Sequence, residues 1–327
     1  MKTYLLIFTI SSIISAVLGK IFIPLLKKLK FGQTILSYVK EHKGKDGTPT
    51  MGGLFIVFSA IIAFFILSRK ENYLSIVAIS IVLAFMLVGF IDDFIKIKNK
   101  QNQGLTPLQK IIFQLLISLI ASIFAYKNGF DFVYLPYTKT TLYLGVFSII
   151  LNSIVFISIV NGVNLIDGLD GLCSMVSMVV FILLGVIISL EIQFNSETYV
   201  FIEEYNNLSV LSISFAGALF GYLLYNVYKA SVFMGDTGSL ALGGGIGAIS
   251  VFSGNSLYIP LVGIMFVLTA ISVIIQVIYY KKTKKRVFLM APLHHHLQHK
   301  GYSESKISFS YFFVTTLMGI IILIFLM

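Results

Sequence analysis

Ten apolar runs, each near the length of a membrane-spanning helix, dominate the sequence. They cover approximately residues 4–26, 52–68, 73–91, 108–126, 142–160, 172–190, 207–227, 239–253, 257–280 and 307–326. A helix crosses the hydrocarbon core of a bilayer with about 20 such residues. Only 12% of all residues are charged, against about 25% in soluble domains, which excludes soluble, disordered and coiled-coil proteins. The sequence therefore predicts an all-α, polytopic integral membrane protein with about ten transmembrane helices, in which residues 1–327 form a single transmembrane domain.

The basic residues predict how these helices are oriented. Alternate loops hold 18 of the 24 Lys and Arg residues, and these loops are 27–51, 92–110, 161–171, 228–238 and 281–306. Loops rich in Lys and Arg face the cytoplasm, so both termini are predicted to lie on the outer (periplasmic or extracellular) side. The first run continues to a basic cluster at Lys27 and Lys28, which is typical of a retained span and not of a cleaved signal peptide. Topology thus explains the net charge of +10, and we expect no nucleic acid partner.

The acidic residues and histidines are divided unevenly between the two sides. Six of the seven Asp residues and all five His residues fall on the predicted cytoplasmic side, whereas five of the seven Glu residues fall outside. Asp is common in turns and helix caps on any surface, so an ordinary structural role stays open. Short carboxylates and imidazoles gathered on one face nevertheless indicate a functional site there.

The sequence Asp92-Asp93-Phe94-Ile95-Lys96 ends the third apolar run. Two adjacent carboxylates at a membrane boundary repel each other and are costly to dehydrate. A divalent cation relieves both costs, and Mg²⁺ prefers oxygen ligands while keeping several waters for phosphates. Lys96 is spaced to pair with either carboxylate on a continued helix. The alternative is a solvated helix end without a metal.

The connection between the fifth and sixth runs carries a regular set of polar residues. They recur every three residues, at Asn161, Asn164, Asp167 and Asp170. If the segment is helical or turns tightly, these side chains share one face, and their amide and carboxylate groups suit a polar heterocycle, a sugar or a metal shell. The neighbouring glycines open room beside them. A merely structural loop is the alternative.

The connection between the seventh and eighth runs contains one acid, Asp236, between two glycines. In that position the carboxylate can stand clear of the backbone and reach a metal. Thr237 and Ser239 can cap the following helix, and capping alone is the alternative for this segment. Phe233 can stack on a planar base, although packing is the commoner role of a lone Phe.

The first cytoplasmic loop combines Lys45 and the hydroxyl of Thr50 with a backbone rich in Gly and Pro. These groups can hold phosphate oxygens, and the glycines allow close approach. An ordinary helix start capped by Thr is the alternative.

The last cytoplasmic loop holds a basic stretch, residues 281–286, followed by His294, His295 and His296. The basic stretch suits anionic lipid headgroups. Three consecutive histidines point in different directions and are poor joint metal ligands compared with pairs one turn apart. Phosphate contact or general-base chemistry is therefore favoured over a zinc site.

Together these segments resemble the phospho-N-acetylmuramoyl-pentapeptide transferase family, within the polyprenyl-phosphate N-acetylhexosamine-1-phosphate transferase superfamily. The segments similar to its motifs, in the family's order, are 45–53, 92–96, 161–172, 235–239 and 292–297. The plan of ten spans is also similar, so the resemblance covers nearly the whole chain. It implies that the single domain is catalytic and lies, multi-pass, in the bacterial inner (cytoplasmic) membrane.

The resemblance implies one reaction of peptidoglycan synthesis. Undecaprenyl phosphate attacks the β-phosphate of UDP-N-acetylmuramoyl-pentapeptide at the cytoplasmic membrane face, which releases UMP and leaves lipid I. Mg²⁺ is the implied cofactor, and membrane lipid and a second copy of the chain in a homodimer are further implied partners. Direct attack and a route through an aspartyl-phosphate both stay open, and we prefer direct attack.

The resemblance also implies roles for single residues. The catalytic and metal-binding residues are Asp92, Asp93 and Asp236, with Asp92 as the base that deprotonates the lipid phosphate. The uridine pocket is implied at Gly168, Leu169, Asp170, Asn226 and Phe233. The remaining substrate-binding candidates, around the nucleotide and diphosphate, are Lys45, Thr50, Asn161, Asn164 and Asp167. Essential polar roles are implied for Lys96, His294, His295 and His296.

Two other functions fit parts of the pattern. A transporter or channel also uses intramembrane acids, but it places them near mid-span, whereas the aspartates here lie at predicted helix ends. A sibling transferase with another UDP-N-acetylhexosamine donor shares most of the motifs and differs in the donor that it accepts.

Overall fold

The computed structural model describes residues 2–29, 47–68, 72–99, 101, 103–138, 140–194 and 202–327. Over these residues the protein is mostly helical. Its elements in chain order are α1 (Lys2–Lys28), α2 (Gly53–Leu67), α3 (Tyr73–Asn99), α4 (Pro107–Lys127), β1 (Phe132–Leu135), β2 (Thr140–Tyr143), α5 (Phe147–Ile166), α6 (Leu172–Phe194), α7 (Ile202–Asn226), α8 (Gly235–Phe252), a 3₁₀ turn (Ser256–Tyr258), α9 (Ile259–Val262), α10 (Ile264–Thr283), α11 (Leu293–His299) and α12 (Glu304–Leu326). Each of the ten apolar runs overlaps one of the longer helices, although α3 and α5 continue past the predicted ends of their runs, at 91 and 160, to Asn99 and Ile166.

Among the described residues, eight helices are long and apolar enough to cross a membrane, namely α1, α3, α4, α5, α6, α7, α10 and α12. Of the other two, α2 is apolar but has 15 residues, and α8 has 18 residues and is rich in Gly. The protein is thus a polytopic membrane protein. The number of ten crossings and the side on which each terminus lies stay predictions.

Helix α8 lies at the centre of the assembly. All of its residues from Thr237 to Phe252 are buried, because α8 packs against α2, α3 and α5. Its glycines allow this close packing. A Cβ at Gly243 would lie 2.5 Å from Val160 Cα, and one at Gly244 would lie 2.5 Å from the ring of Phe85.

Two glycines bring the first turn of α8 against the first turn of α2 and against the C-terminal half of α3. A Cβ at Gly53 would overlap the backbone of Gly238, and a Cβ at Gly89 would overlap the carbonyl of Asp236. Only residues without a side chain allow backbones to approach this closely. The end of α3 is therefore held beside the first turn of α8.

We expect Gly89→Ala to lower the unfolding temperature, because the added methyl group meets fixed backbone at Asp236. Overpacking of this kind typically costs about 1–3 kcal/mol in the free energy of unfolding. Circular dichroism of the detergent-solubilised protein measures the shift. The control is Gly245→Ala, whose Cβ would meet a methyl group of Val82 at 3.2 Å, and equal shifts for the two variants would contradict the tight contact.

The all-α prediction is wrong for one short segment. Strands β1 and β2 form an antiparallel hairpin in which Phe132 pairs with Tyr143 and Leu135 with Thr140. The segment is rich in aromatic and β-branched residues, which favour extended backbone, and the amide of Tyr134 donates to the carbonyl of Gly254 at 2.9 Å. The fifth helix consequently begins after the hairpin and not at the predicted residue 142.

The ninth apolar run, predicted as one helix over 257–280, is broken in the structure. A 3₁₀ turn and the four-residue α9 precede α10. Pro260 lacks the amide hydrogen of a helical residue, and Gly263 has φ −100° and ψ 31°, outside the helical region. Because a Pro and a Gly are spaced only three residues apart, the chain changes direction there.

Candidate active site

Three aspartates meet where the end of α3 lies against the first turn of α8. Asp92 and Asp93 are the last buried residues of α3, and Asp236 follows Gly235, whose φ of 73° requires glycine-like backbone. Each carboxylate offers an oxygen that lies within 4.8 Å of the others. The exposed fractions of Asp92 and Asp93 are only 1% and 3%. The structure thus brings these three acids into one small, largely buried cluster.

Two lysines neutralise part of this charge. Lys96 Nζ lies 2.6 Å from Asp92 Oδ2, 3.7 Å from Asp93 Oδ1 and 3.0 Å from Asp236 Oδ2. Lys110, in the first turn of α4, lies 2.6 Å from Asp236 Oδ2 and 3.5 Å from Asp92 Oδ2. Three carboxylates and two ammonium groups leave one net negative charge in the cluster.

Backbone and hydroxyl groups hold the other carboxylate oxygens. The amide and hydroxyl of Thr237 donate to Asp93 Oδ2 at 2.9 and 2.7 Å, which adds the favourable field of a helix N-terminus. The amide of Leu105 donates to Asp92 Oδ1 at 2.8 Å. The backbone just before α4 lies so close to Asp92 that a Cβ at Gly104 would be 2.6 Å from the same oxygen. The carboxylates are therefore fixed in orientation.

Asn164, near the end of α5, joins the cluster through Asp236. Its amide nitrogen donates to Asp236 Oδ1 at 2.7 Å and to Ser239 Oγ at 2.9 Å. Asn161, one turn earlier, points to α4 instead and donates to Gln114 Oε1 at 2.7 Å. The two asparagines thus join α5 to α8 and to α4, respectively.

The α5–α6 connection places Asp167, Gly168 and Leu169 next to the aspartate cluster and the histidine helix α11. Removal from water, with the negative charges of Asp236 and Asp93, raises the pKa of Asp167 to about 8. A Cβ at Gly168 would overlap the imidazole of His294. Leu169 is buried.

Asp170 and Asn226, both predicted at the uridine pocket, are buried and bonded to backbone. Asp170 Oδ2 accepts from the amide of Ala230 at 3.0 Å. Asn226 Oδ1 accepts from the amide of Gly171 at 3.2 Å, and its Nδ2 donates to the carbonyl of Val232 at 3.1 Å. These bonds tie the α5–α6 and α7–α8 connections together.

The segment before α2 pairs with the segment before α8. The amide of Phe233 donates to the carbonyl of Pro49 at 2.8 Å, and the amide of Gly52 donates to the carbonyl of Phe233 at 2.9 Å. Thr50 is buried, and its hydroxyl faces Gly235 beside Asp93: a Cβ at Gly235 would lie 2.6 Å from it. Lys45, predicted in the same segment, lies outside the described residues.

The three histidines of α11 differ in their burial and in their contacts. His294 is buried and its ring centroid lies 4.4 Å from that of His295, whose Nδ1 is 3.1 Å from Gln298 Oε1. His296 Nδ1 accepts from the amide of Leu289 at 3.1 Å. In the described part of the chain, the three aspartates are the one group of three or more side chains with the spacing of shared metal ligands, and no histidine belongs to it.

Lys110 is the site residue that sequence reasoning missed. It was counted with the basic loop residues, because a cation in the first turn of an apolar helix is common at a membrane boundary. The one local indication is that Lys110 follows the capping box of Thr106 and Gln109. This box fixes where α4 begins, and Lys110 therefore lies in the first turn of the helix. Ser239, read as a cap, instead accepts from Asn164.

Comparisons with known proteins identify the family of the chain. A family model described as Glycosyl transferase family 4 matches residues 73–254, which include all three aspartates. A motif described as Phospho-N-acetylmuramoyl-pentapeptide-transferase signature 1 matches residues 45–57.

Relatives with the name phospho-N-acetylmuramoyl-pentapeptide-transferase match almost end to end. The protein from Clostridium perfringens (strain SM101) is 39% identical over 91% of this chain and 89% of its own length. That of Clostridium botulinum (strain Eklund 17B) is 40% identical over 94% and 91%, and that of Thermoanaerobacter sp. (strain X514) is 39% identical over 94% and 93%. The chain is thus an enzyme, and it belongs to the phospho-N-acetylmuramoyl-pentapeptide transferase family.

Proposed function

We propose that the protein transfers phospho-N-acetylmuramoyl-pentapeptide from its UDP derivative to undecaprenyl phosphate, with UMP and lipid I as products. The reaction takes place at the cytoplasmic face of the bacterial inner membrane and requires Mg²⁺. The observation that carries this proposal is the cluster of Asp92, Asp93 and Asp236, formed where the C-terminal part of the membrane helix α3 lies against the first turn of the buried helix α8. A lipid phosphate from the bilayer and a nucleotide from water can both reach such a boundary.

The donor set fits Mg²⁺. Carboxylate oxygens are its preferred protein ligands, and it retains open positions for phosphate oxygens. In the proposal Asp236, Asp92 and Asp93 hold the ion. A Mg²⁺ ion held by these residues would supply positive charge to stabilise the negative charge that develops on the leaving UMP.

The remaining chemistry belongs to side chains around the cluster. Displacement at a diphosphate depends on charge neutralisation and in-line positioning. Lys96 and Lys110 supply positive charge beside the aspartates, and Asn164 fixes the orientation of Asp236. Asp92 takes the proton of the lipid phosphate. The phosphate oxygen then attacks the β-phosphorus directly, and the bond between that phosphorus and the oxygen of UMP breaks, so that UMP leaves.

The nucleotide is proposed to lie between the α5–α6 connection, the α7–α8 connection and α11. The uridine side comprises Gly168, Leu169, Asp170, Asn226 and Phe233. The diphosphate side comprises Lys45, Thr50, Asn161, Asn164 and Asp167, with His294, His295 and His296 as further polar groups. Asp170 and Asn226 act here by holding the pocket backbone, since their side chains bond to neighbouring loops. A homodimer of this one catalytic domain remains part of the proposal.

Donor choice tests the proposal. We expect purified protein, given undecaprenyl phosphate and Mg²⁺, to release UMP from UDP-N-acetylmuramoyl-pentapeptide, because both phosphates can reach the aspartate cluster. Chromatography of UMP and of the lipid product measures turnover. Activity with UDP-N-acetylglucosamine as the only accepted donor would assign the chain to a sibling reaction, and solute passage through vesicles without UMP release would indicate a transporter.

A further inference from the structure

Both lysines of the aspartate cluster converge on a single carboxylate oxygen. Lys110 Nζ lies 2.6 Å and Lys96 Nζ 3.0 Å from Asp236 Oδ2. The same two ammonium groups lie 2.6 Å (Lys96) and 3.5 Å (Lys110) from Asp92 Oδ2. In this arrangement they occupy the side of the carboxylates at which the proposed cation would bind.

The two lysines differ in how they reach this position. Lys96 belongs to the same helix as Asp92 and Asp93, at i+4 and i+3, so the helical spacing alone brings it beside these acids. Lys110 belongs to a separate helix, α4. The start of α4 is fixed by the capping box of Thr106, and the next turn is held to α5 by the bond between Gln114 and Asn161.

The ammonium group of Lys110 and a divalent cation compete for the same carboxylate oxygen, because both are positively charged. A Mg²⁺ ion would sit about 2.0–2.1 Å from a ligating oxygen, and Asp236 Oδ2 already has an ammonium nitrogen at 2.6 Å. With Lys96 and Lys110 both beside this oxygen, a divalent ion would be a third cation there, and like charges this close in a partly buried site repel each other. The Lys110 side chain is 20% exposed and that of Lys96 is 26% exposed, so exposure alone does not separate them. Lys96 has Asp92 and Asp93 as partners on its own helix, whereas Lys110 comes from a separate helix and is the group that can withdraw.

We propose that Lys110 is a place-holding cation, which neutralises Asp236 and Asp92 while the site holds no metal and must leave Asp236 Oδ2 when a divalent cation binds. This inference rests on the proposed function, because it takes the aspartate cluster as the metal site. The displaced ammonium group then faces the phosphates of the donor, where positive charge is needed. Lys110 thereby weakens cation binding by the empty enzyme and favours binding of cation and anionic donor together.

The test measures cation affinity without any substrate. Mn²⁺, which suits the same oxygen ligands, is titrated into the full-length protein in detergent and followed by electron paramagnetic resonance. We expect Lys110→Met to bind Mn²⁺ about tenfold more tightly than the wild type or better, which corresponds to about 1.4 kcal/mol. Lys110→Arg keeps the charge and should stay within about threefold of the wild type, since the same repulsion persists.

A matched control separates local competition from a general change in charge. Lys98→Met removes an exposed cation two residues beyond Lys96, and we expect its Mn²⁺ affinity to change less than about threefold because water screens it. Equal or weaker Mn²⁺ binding by Lys110→Met, with clear binding by the wild type, would overturn the role of Lys110 and leave the metal site in place. No binding by any of the four proteins would overturn the proposed metal site itself.

Discussion

Asp236→Asn is expected to abolish turnover while the protein still folds. The amide keeps the shape of the carboxylate and its contact with Asn164, but it removes the charge that the proposed metal needs. It also removes the partner of Lys96 and Lys110. We expect the rate of UMP release to fall by roughly 10³-fold or more, with normal yield of folded protein on size-exclusion chromatography.

The matched control for this variant is Asp131→Asn, which changes an aspartate in the loop before β1, far along the chain from the cluster. We expect it to keep near-normal turnover. Normal turnover of Asp236→Asn at low Mg²⁺ concentration would rule out Asp236 as a metal ligand.

Lys96→Met is expected to have the second largest effect. The variant leaves three clustered carboxylates with Lys110 as the remaining close cation, and it removes positive charge from the proposed phosphate site. Loss of one charged group that stabilises a transition state costs roughly 10²-fold in rate. We also expect a lower unfolding temperature in EDTA, partly restored by Mg²⁺, because the ion replaces the missing positive charge.

Rate and stability together make this prediction specific. Lys98→Met, on the same helix and exposed, should change neither quantity appreciably. If Lys96→Met lost activity but showed no greater stabilisation by Mg²⁺ than the wild type, its ammonium group would not be balancing the carboxylates that bind the ion.

The parts of the fold that follow from local physics were predictable from the sequence. Long apolar runs require helices in a membrane, since every backbone polar group must be satisfied internally. The cost of dehydrating carboxylates within a span predicts the aspartates at helix ends, but α3 continues past Asp92 and Asp93 to Asn99. The bias of Asp and His to one predicted side of the membrane nevertheless indicated the region in which Asp92, Asp93 and Asp236 meet.

The remaining features depend on contacts between distant segments. Nothing near Lys110 in the chain indicates that its partner is Asp236, because α4 and α8 are adjacent only in three dimensions. The hairpin is stabilised by the bond from Tyr134 to Gly254, which a local pattern does not reveal. Asp170 and Asn226 were predicted from residue type as ligand contacts, whereas the structure shows their bonds to backbone, a distinction that residue type cannot make.

The burial of α8 has a consequence for how the enzyme tolerates its surroundings. From Thr237 to Phe252 this helix is enclosed by protein, so lipid tails do not touch the element that carries Asp236. A bilayer that changes in thickness is accommodated by tilting of the helices that face the lipid. We therefore expect the spacing of the three aspartates to depend little on lipid composition.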